Sequence, residues 1–227
     1  SSAASDVYKR QAMGCPPEKI HVTRMGIEPE KFNLKIRDAL HQPLRILSVA
    51  RLTEKKGLGV AIDACKLLKA QGGKFEFTIV GNGDLEASLQ SMIEAADLND
   101  CVKMVGFKPQ EEIKRYLDEA DIFLLPSLTA ADGDMEGIPV ALMEAMAVGL
   151  PVVSSEHSGI PELIEHNVSG WLAPEGDAEA LAAILLKLSR GEADVAPVVI
   201  AARQRVETEF NQHIAYRELA EILEQLA

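Results

Sequence analysis

An α/β fold built on a Rossmann-like, doubly wound parallel sheet is predicted from three observations. From Pro43 onward, short apolar β-rich runs alternate with amphipathic helical stretches. Some of those runs, D-I-F-L-L-P (121–126) above all, are apolar throughout, as strands covered on both faces must be. Strand, helix, strand repeated in this way requires crossover connections and hence parallel pairing.

The elements follow in order. L-R-I-L-S-V-A (44–50) is the first strand, and 57–71 carries Leu58, Ala61, Ile62, Cys65 and Leu68 at helical spacing. F-E-F-T-I-V-G (75–81) is the second strand, followed by a helix through Leu85, Leu89, Met92 and Ile93. V-K-M-V (102–105) and a helix over 110–119 lead into the run at 121–126. A helix over 139–148, the strand P-V-V-S-S (151–155) and W-L-A-P (171–174) close the series. Beyond Asp177 the chain reads as helical to its end, with Gly191 and Pro197 as breaks. Trp171 is expected in the core, and Glu111, Glu112, Lys114 and Arg115 on a solvated helix face.

Four regions result. Residues 1–11 lack apolar periodicity and read as a non-native leader; 12–42 form a linker or remnant of a preceding domain. Residues 43–190 form the Rossmann-like domain, and 191–227 the C-terminal helices.

The chain has 227 residues, 47% of them hydrophobic and 26% charged, with a net charge of −12. That balance suits a folded domain with a full core. The acidic surface argues against a nucleic-acid backbone as partner. No run approaches the ~18 apolar residues that span a bilayer. Cys15, Cys65 and Cys101 are scattered and odd in number, so reduced thiols in a cytoplasmic protein are expected.

In open α/β sheets ligands lie beyond the carboxyl ends of the strands, which directs attention to the strand-to-helix turns. The first reads R-L-T-E-K-K-G (51–57). Arg51 can bond two phosphate oxygens with its planar fork. Lys56 adds charge beside the positive end of a helix. The competing reading is of solvated loop charges paired with Glu54. The second turn, G-N-G-D (81–84), is either a tight turn capped by Asp84 or a close approach of a nucleotide to Gly81.

After the 121–126 strand comes T-A-A-D-G-D-M-E-G-I-P-V-A-L-M-E-A-M-A (129–147). Gly137 can place bare backbone against a ligand. Pro139 suits the first position of a helix, and the amides of Ile138, Val140 and Ala141 would then face an anion. Glu136 precedes that helix and Glu144 lies within it, flanked by apolar residues. Eight residues at ~1.5 Å rise separate them by about 12 Å. That exceeds the 5–9.5 Å range of carboxyls acting on one bond. It fits an extended ligand held at two points. D-G-D-M-E-G begins like a calcium loop, but counting from Asp132 the twelfth position is Met143 and not the required glutamate.

R-L-x-x-K-K-G after the first strand and E-G-I-P-V-A-L-M-E-A-M-A-V-G-L-P-V-V (136–153) resemble the GT4 family of retaining glycosyltransferases. H-S-G-I-P-E-L-I (157–164) and G-W-L-A-P (170–174) complete the likeness, which runs from about Val22 to Ala227. Within the family the 129–146 stretch is most similar to bacterial exopolysaccharide enzymes of the colanic-acid and amylovoran kind. The resemblance implies a GT-B fold, two Rossmann-like domains facing across a cleft, of which this chain is the C-terminal donor-binding half. It implies that Arg51 and Lys56 bind the donor diphosphate and stabilise the leaving group. Glu144 would hold the ribose hydroxyls, Glu136 the transferred sugar, and the 137–141 backbone the phosphate. Phe107 and Lys108 would border the base. It also implies catalysis with no bound metal or cofactor, the nucleotide-diphosphate sugar being a substrate. The acceptor domain would be missing here, and the full-length enzyme would sit in the cytoplasm or peripherally at the inner face of the plasma membrane. Pro139 stands where many relatives have glycine, removing one N–H from the phosphate cradle.

The last helix, with Leu219, Ile222, Leu223 and Leu226, would in the family cross toward the missing domain, leaving apolar surface exposed here. For His157 and Glu162 a helix-start role and a ligand contact both stay open. A nicotinamide oxidoreductase is excluded by the first turn, which holds Arg51 and Lys56 in place of G-x-G-x-x-G. A non-catalytic nucleotide-sugar-binding module is the remaining alternative.

Overall fold

A computed structural model describes residues 10–37 and 39–226. Most of the expected leader, residues 1–9, lies outside the described residues, as does the side chain of Leu226.

The strands are β1 (Leu44–Val49), β2 (Phe75–Val80), β3 (Val102–Met104), β4 (Ile122–Leu125), β5 (Val152–Ser155) and β6 (Trp171–Ala173). The helices are α1 (Leu58–Ala70), α2 (Glu86–Ala95), α3 (Gln110–Glu119), α4 (Val140–Ala147), α5 (Ile160–Leu163), α6 (Ala178–Ser189), α7 (Val195–Glu209) and α8 (Gln212–Leu226). All six strands pair in parallel, in the order β3-β2-β1-β4-β5-β6. The order reverses between β1 and β4, which makes their carboxyl ends the topological switch point of a Rossmann-like sheet.

Side chains alternate across the sheet into two cores. Ile46, Phe77, Leu124, Val153 and Trp171 meet α1, α2 and α6 on one face. Leu47, Phe123, Leu125, Val152 and Leu172 meet α4, α5 and α7 on the other. Every residue of β4, β5 and β6 is buried. Truncating a fully buried phenylalanine such as Phe77 or Phe123 costs about 3–5 kcal/mol, a large part of the 5–15 kcal/mol that typically holds a domain together.

Where β1 and β4 separate, the turns above them still touch. Gly57 has φ +65°, and a Cβ there would stand 1.8 Å from the Pro126 carbonyl oxygen. The Leu128 amide donates to the Lys55 carbonyl at 3.0 Å. Gly81 and Gly83 are likewise tight. Their Cβ positions fall 1.8 Å from the Ala50 oxygen and 2.6 Å from the Leu52 oxygen. Packing of the second turn on the first therefore accounts for both glycines. Asp84 is not the helix cap; α2 starts at Glu86 with Leu85 before it and no side-chain cap.

Segment 12–42 is bolted to the domain at several points. Ile27 bridges Asn211, with Ile27 N–H to the Phe210 carbonyl at 2.9 Å and Gln212 N–H to the Ile27 carbonyl at 2.8 Å. Arg37 donates to the carbonyls of Leu117, Ala120 and Gly149. Two expectations about the C-terminal helices are corrected. Pro197 does not break a helix; it sits in the first turn of α7, where its missing N–H costs nothing. The second interruption falls instead at Phe210–Asn211, where backbone groups pair with Ile27. On α8, Leu219 and Leu223 are exposed, as the resemblance implied, along with Tyr216, while Ile222 is half-buried.

Gly57→Ala should destabilise the chain by about 2 kcal/mol or more, from left-handed backbone strain plus the collision with Pro126. Urea unfolding checks this, and an unchanged midpoint would contradict the contact.

Candidate functional site

The switch point gathers four turns. Arg51 stands just beyond β1, exposed, and its guanidinium makes no hydrogen bond or ion pair among the described residues. Lys55 and Lys56 follow in a 3-10 turn, Glu54–Lys56, that leads through Gly57 into α1. Their partner is not Glu54. Lys55 Nζ pairs with Asp134 Oδ2 at 2.9 Å. Lys56 Nζ closes on Glu136 Oε2 as an ion pair without hydrogen-bond angles. Side-chain exposure is 14% for Lys56 and 16% for Glu136, so this pair is sheltered and weakly screened. Lys55 holds Asp134 below its usual range, chiefly through their hydrogen bond.

The loop carrying Asp134 and Glu136 is shaped by its own polar groups. The Asp134 amide donates to Asp132 Oδ1 at 2.9 Å, and the Ala130 amide to the Asp134 carbonyl at 2.9 Å. Gly133 takes φ +82°. Beyond Glu136 the chain runs extended into α4. Pro139 caps this helix and is not its first residue, with φ −64° and ψ 123°. Among the described residues the amides of Gly137, Ile138, Val140 and Ala141 have no protein acceptor. A Cβ on Gly137 would meet nothing within 4 Å. This short helix end therefore offers free N–H groups in open space, where negative charge is favoured.

The two glutamates differ in surroundings. Glu136 is spent on Lys56. Glu144 is half-buried in α4; burial pushes its carboxyl above the usual range, opposed by a hydrogen bond with Gln110. Phe107 is 69% exposed beyond β3, and Lys108 pairs with Glu112 at 3.7 Å.

Glu175, the contacts of His157 and three buried hydroxyls escaped sequence reasoning. Glu175, after β6, accepts from the Thr129 amide at 2.6 Å and meets His157 Nδ1 at 2.8 Å. His157 is fully buried and serves as no helix cap; its Nε2 accepts the Glu136 amide at 3.2 Å. The buried hydroxyls of Thr53, Ser127 and Ser158 have no hydrogen-bond partner among the described residues. Glu162 lies in α5 and faces Arg24 at 4.0 Å. The cysteines are unpaired; burial raises the thiols of Cys65 and Cys101, the latter to about 11. Among the described residues one group has the proximity of metal ligands, Glu28, Glu30 and His213, and none of these belongs to a strand-end turn.

Comparison with known proteins bears on family and fold. The family described as "Glycosyl transferases group 1" matches residues 30–205. The amylovoran biosynthesis glycosyltransferase AmsK of Erwinia amylovora is 86% identical over 220 residues, 97% of this chain and 54% of its own. The putative colanic acid biosynthesis glycosyltransferase WcaL of Escherichia coli is 58% identical over 225 residues, 98% of this chain and 55% of its own. Among solved structures, Anabaena HepE in complex with UDP shares the fold at TM-score 0.82 and 24% identity, covering 99% of this chain and 62% of that one. The chain thus spans about half the length of the curated relatives it matches.

The raised carboxyl of Glu144 has a stability consequence. Its folded value lies above the ordinary 4.5, so the native state binds more protons there than the unfolded state, and stability falls as pH rises through that window. Glu144→Gln should therefore raise Tm at pH 7, with the gain vanishing below pH 4.5. Solvent screening keeps it to about 1–2 °C, on a scale of about 2–4 °C per kcal/mol. Thermal unfolding at both pH values checks the sign.

Proposed function

The chain belongs to the group 1 glycosyl transferases, and we propose that it is the donor-binding half of a retaining exopolysaccharide glycosyltransferase. The substrate is a nucleoside-diphosphate sugar, and the acceptor a glycan or lipid-linked glycan. The observation that carries this reading is the convergence of Arg51, Lys56, Glu136 and the free α4 amides on one switch point.

In transfer, the bond from the anomeric carbon to the distal phosphate oxygen breaks and its electron pair leaves with the nucleoside diphosphate. The acceptor oxygen bonds that carbon and releases its proton to solvent. Negative charge grows on the leaving phosphate, and the groups placed to meet it are the unpaired Arg51 fork, the Lys56 ammonium and the amides of Ile138, Val140 and Ala141. These supply the charge that a metal ion provides elsewhere, so the reaction is expected to need none. Lys56 reaches a phosphate by leaving Glu136, which frees that carboxylate for sugar hydroxyls. Glu136 is given no covalent role. Glu144, eight residues on, faces the other end of the donor at the ribose, and the exposed Phe107 with Lys108 borders the base.

HepE, in its UDP complex, shares the fold; AmsK and WcaL carry polysaccharide names. Both support this choice of donor and process. The reading places the whole enzyme in the cytoplasm, peripherally at the inner membrane face for lipid-linked acceptors. Among the described residues no helix is long and apolar enough to cross a membrane. Since the chain spans half of its relatives, donor binding without transfer is the behaviour expected of it alone.

Isothermal titration of the chain with UDP, GDP and ADP and their sugars tests the site. Arg51→Ala and Glu144→Ala should each weaken the best ligand about 10- to 100-fold, the worth of a charge-assisted hydrogen bond. Unchanged affinity in both variants would remove the donor site from this switch point.

A further inference from the structure

We infer that His157 and Glu175 are positioning residues that hold Glu136 toward the transferred sugar, through a ring fixed in its Nδ1–H form. The inference rests on the donor reading above and adds two residues to it.

The tautomer follows from the partners. The Glu136 amide, 3.2 Å from His157 Nε2, can only donate, so Nε2 carries no proton. The ring proton is then on Nδ1 and is donated to Glu175 Oε2 at 2.8 Å. Glu175 is committed on its other side, accepting the Thr129 amide at 2.6 Å. Burial raises the Glu175 carboxyl, but the Thr129 and His157 donors outweigh it and keep the group below its ordinary range, ionised and accepting.

This chain of bonds joins the turns after β4, β5 and β6 and ends on the backbone of Glu136. Each link is well placed to transmit position. His157 is fully buried. The turn behind it leaves no slack, since a Cβ on Gly159 would stand 2.8 Å from Ile138 Cγ1. The facing charges are Glu175 on Nδ1 and, beyond the Glu136 backbone, the Lys56–Glu136 pair. The ring itself makes no hydrogen bond to that pair's carboxylate among the described residues. It fixes the backbone from which the carboxylate extends. When Lys56 turns to a phosphate, His157 is what keeps Glu136 in place.

The test uses the whole chain. Long-range ¹H–¹⁵N spectra should show His157 with a protonated Nδ1 and a bare Nε2. His157→Leu keeps bulk but removes the acceptor. It should lower affinity for UDP-glucose or GDP-mannose about tenfold, while UDP or GDP alone changes less than twofold. His157→Gln, whose amide can accept from Glu136 and donate to Glu175, should recover most of the loss. Should the leucine variant not fold, Glu175→Ala at a partly exposed position must give the same split. A wild-type ring protonated on Nε2 overturns the inference, as does equal loss, or no loss, for sugar and sugar-free nucleotides. A wild-type chain that binds none of these ligands overturns the donor reading instead, and the ring nitrogens then decide the positioning.

Discussion

The switch-point end of the molecule depends on how β1 and β4 part. They pair at only two positions, Ile46 with Ile122 and Leu47 with Phe123, whereas β1 and β2 pair along six. Above that short seam the two backbones diverge, one toward α1 and one toward the 127–139 loop. Gly57 against the Pro126 carbonyl and Leu128 N–H on the Lys55 carbonyl keep them in touch. A side chain at Gly57 would force the turns apart. Lys56 and Glu136, eighty residues distant in sequence, would then no longer meet.

The acidic loop occupies the resulting crevice through two ion pairs of unequal quality. Lys55 with Asp134 is half open to solvent on the carboxylate side, at 56% exposure, and contributes little by itself. Lys56 with Glu136 is sheltered on both sides and cannot lose one member without leaving a covered charge. The second pair therefore sets the resting geometry, while the first trims the loop that carries it.

Local pattern carried the architecture. Strand and helix spans agree within a residue or two of their expected limits, because the apolar runs and helical spacings are strong and the chain pairs its strands by crossover throughout. Elements under weak local control were lost. The four-residue α5 is too short for periodicity, and the break at Phe210–Asn211 exists because Ile27 pairs there, a tertiary cause with no local mark. The site divides along the same line. Arg51, Lys56, Glu136 and Gly137 stand in motif turns and Glu144 in the helix that follows one, and all could be named from residue type and position. Their pairing could not: nothing near Lys56 in sequence points to Glu136 over Glu54. Glu175 was missed for the same reason, since its partners Thr129 and His157 lie 46 and 18 residues away.

The Lys56–Glu136 pair also constrains the shape of any ligand. A lone anion arriving at Lys56 would strip a sheltered carboxylate of its cation and leave it poorly solvated. A molecule bearing an anion and, a few bonds away, hydroxyl donors satisfies both members at once. Inorganic phosphate lacks the second part and an uncharged sugar lacks the first. On the proposed donor reading, the crevice thus disfavours a lone phosphate or a lone sugar, a form of selectivity that resides in the occupied state of the pair and not in the outline of the cavity.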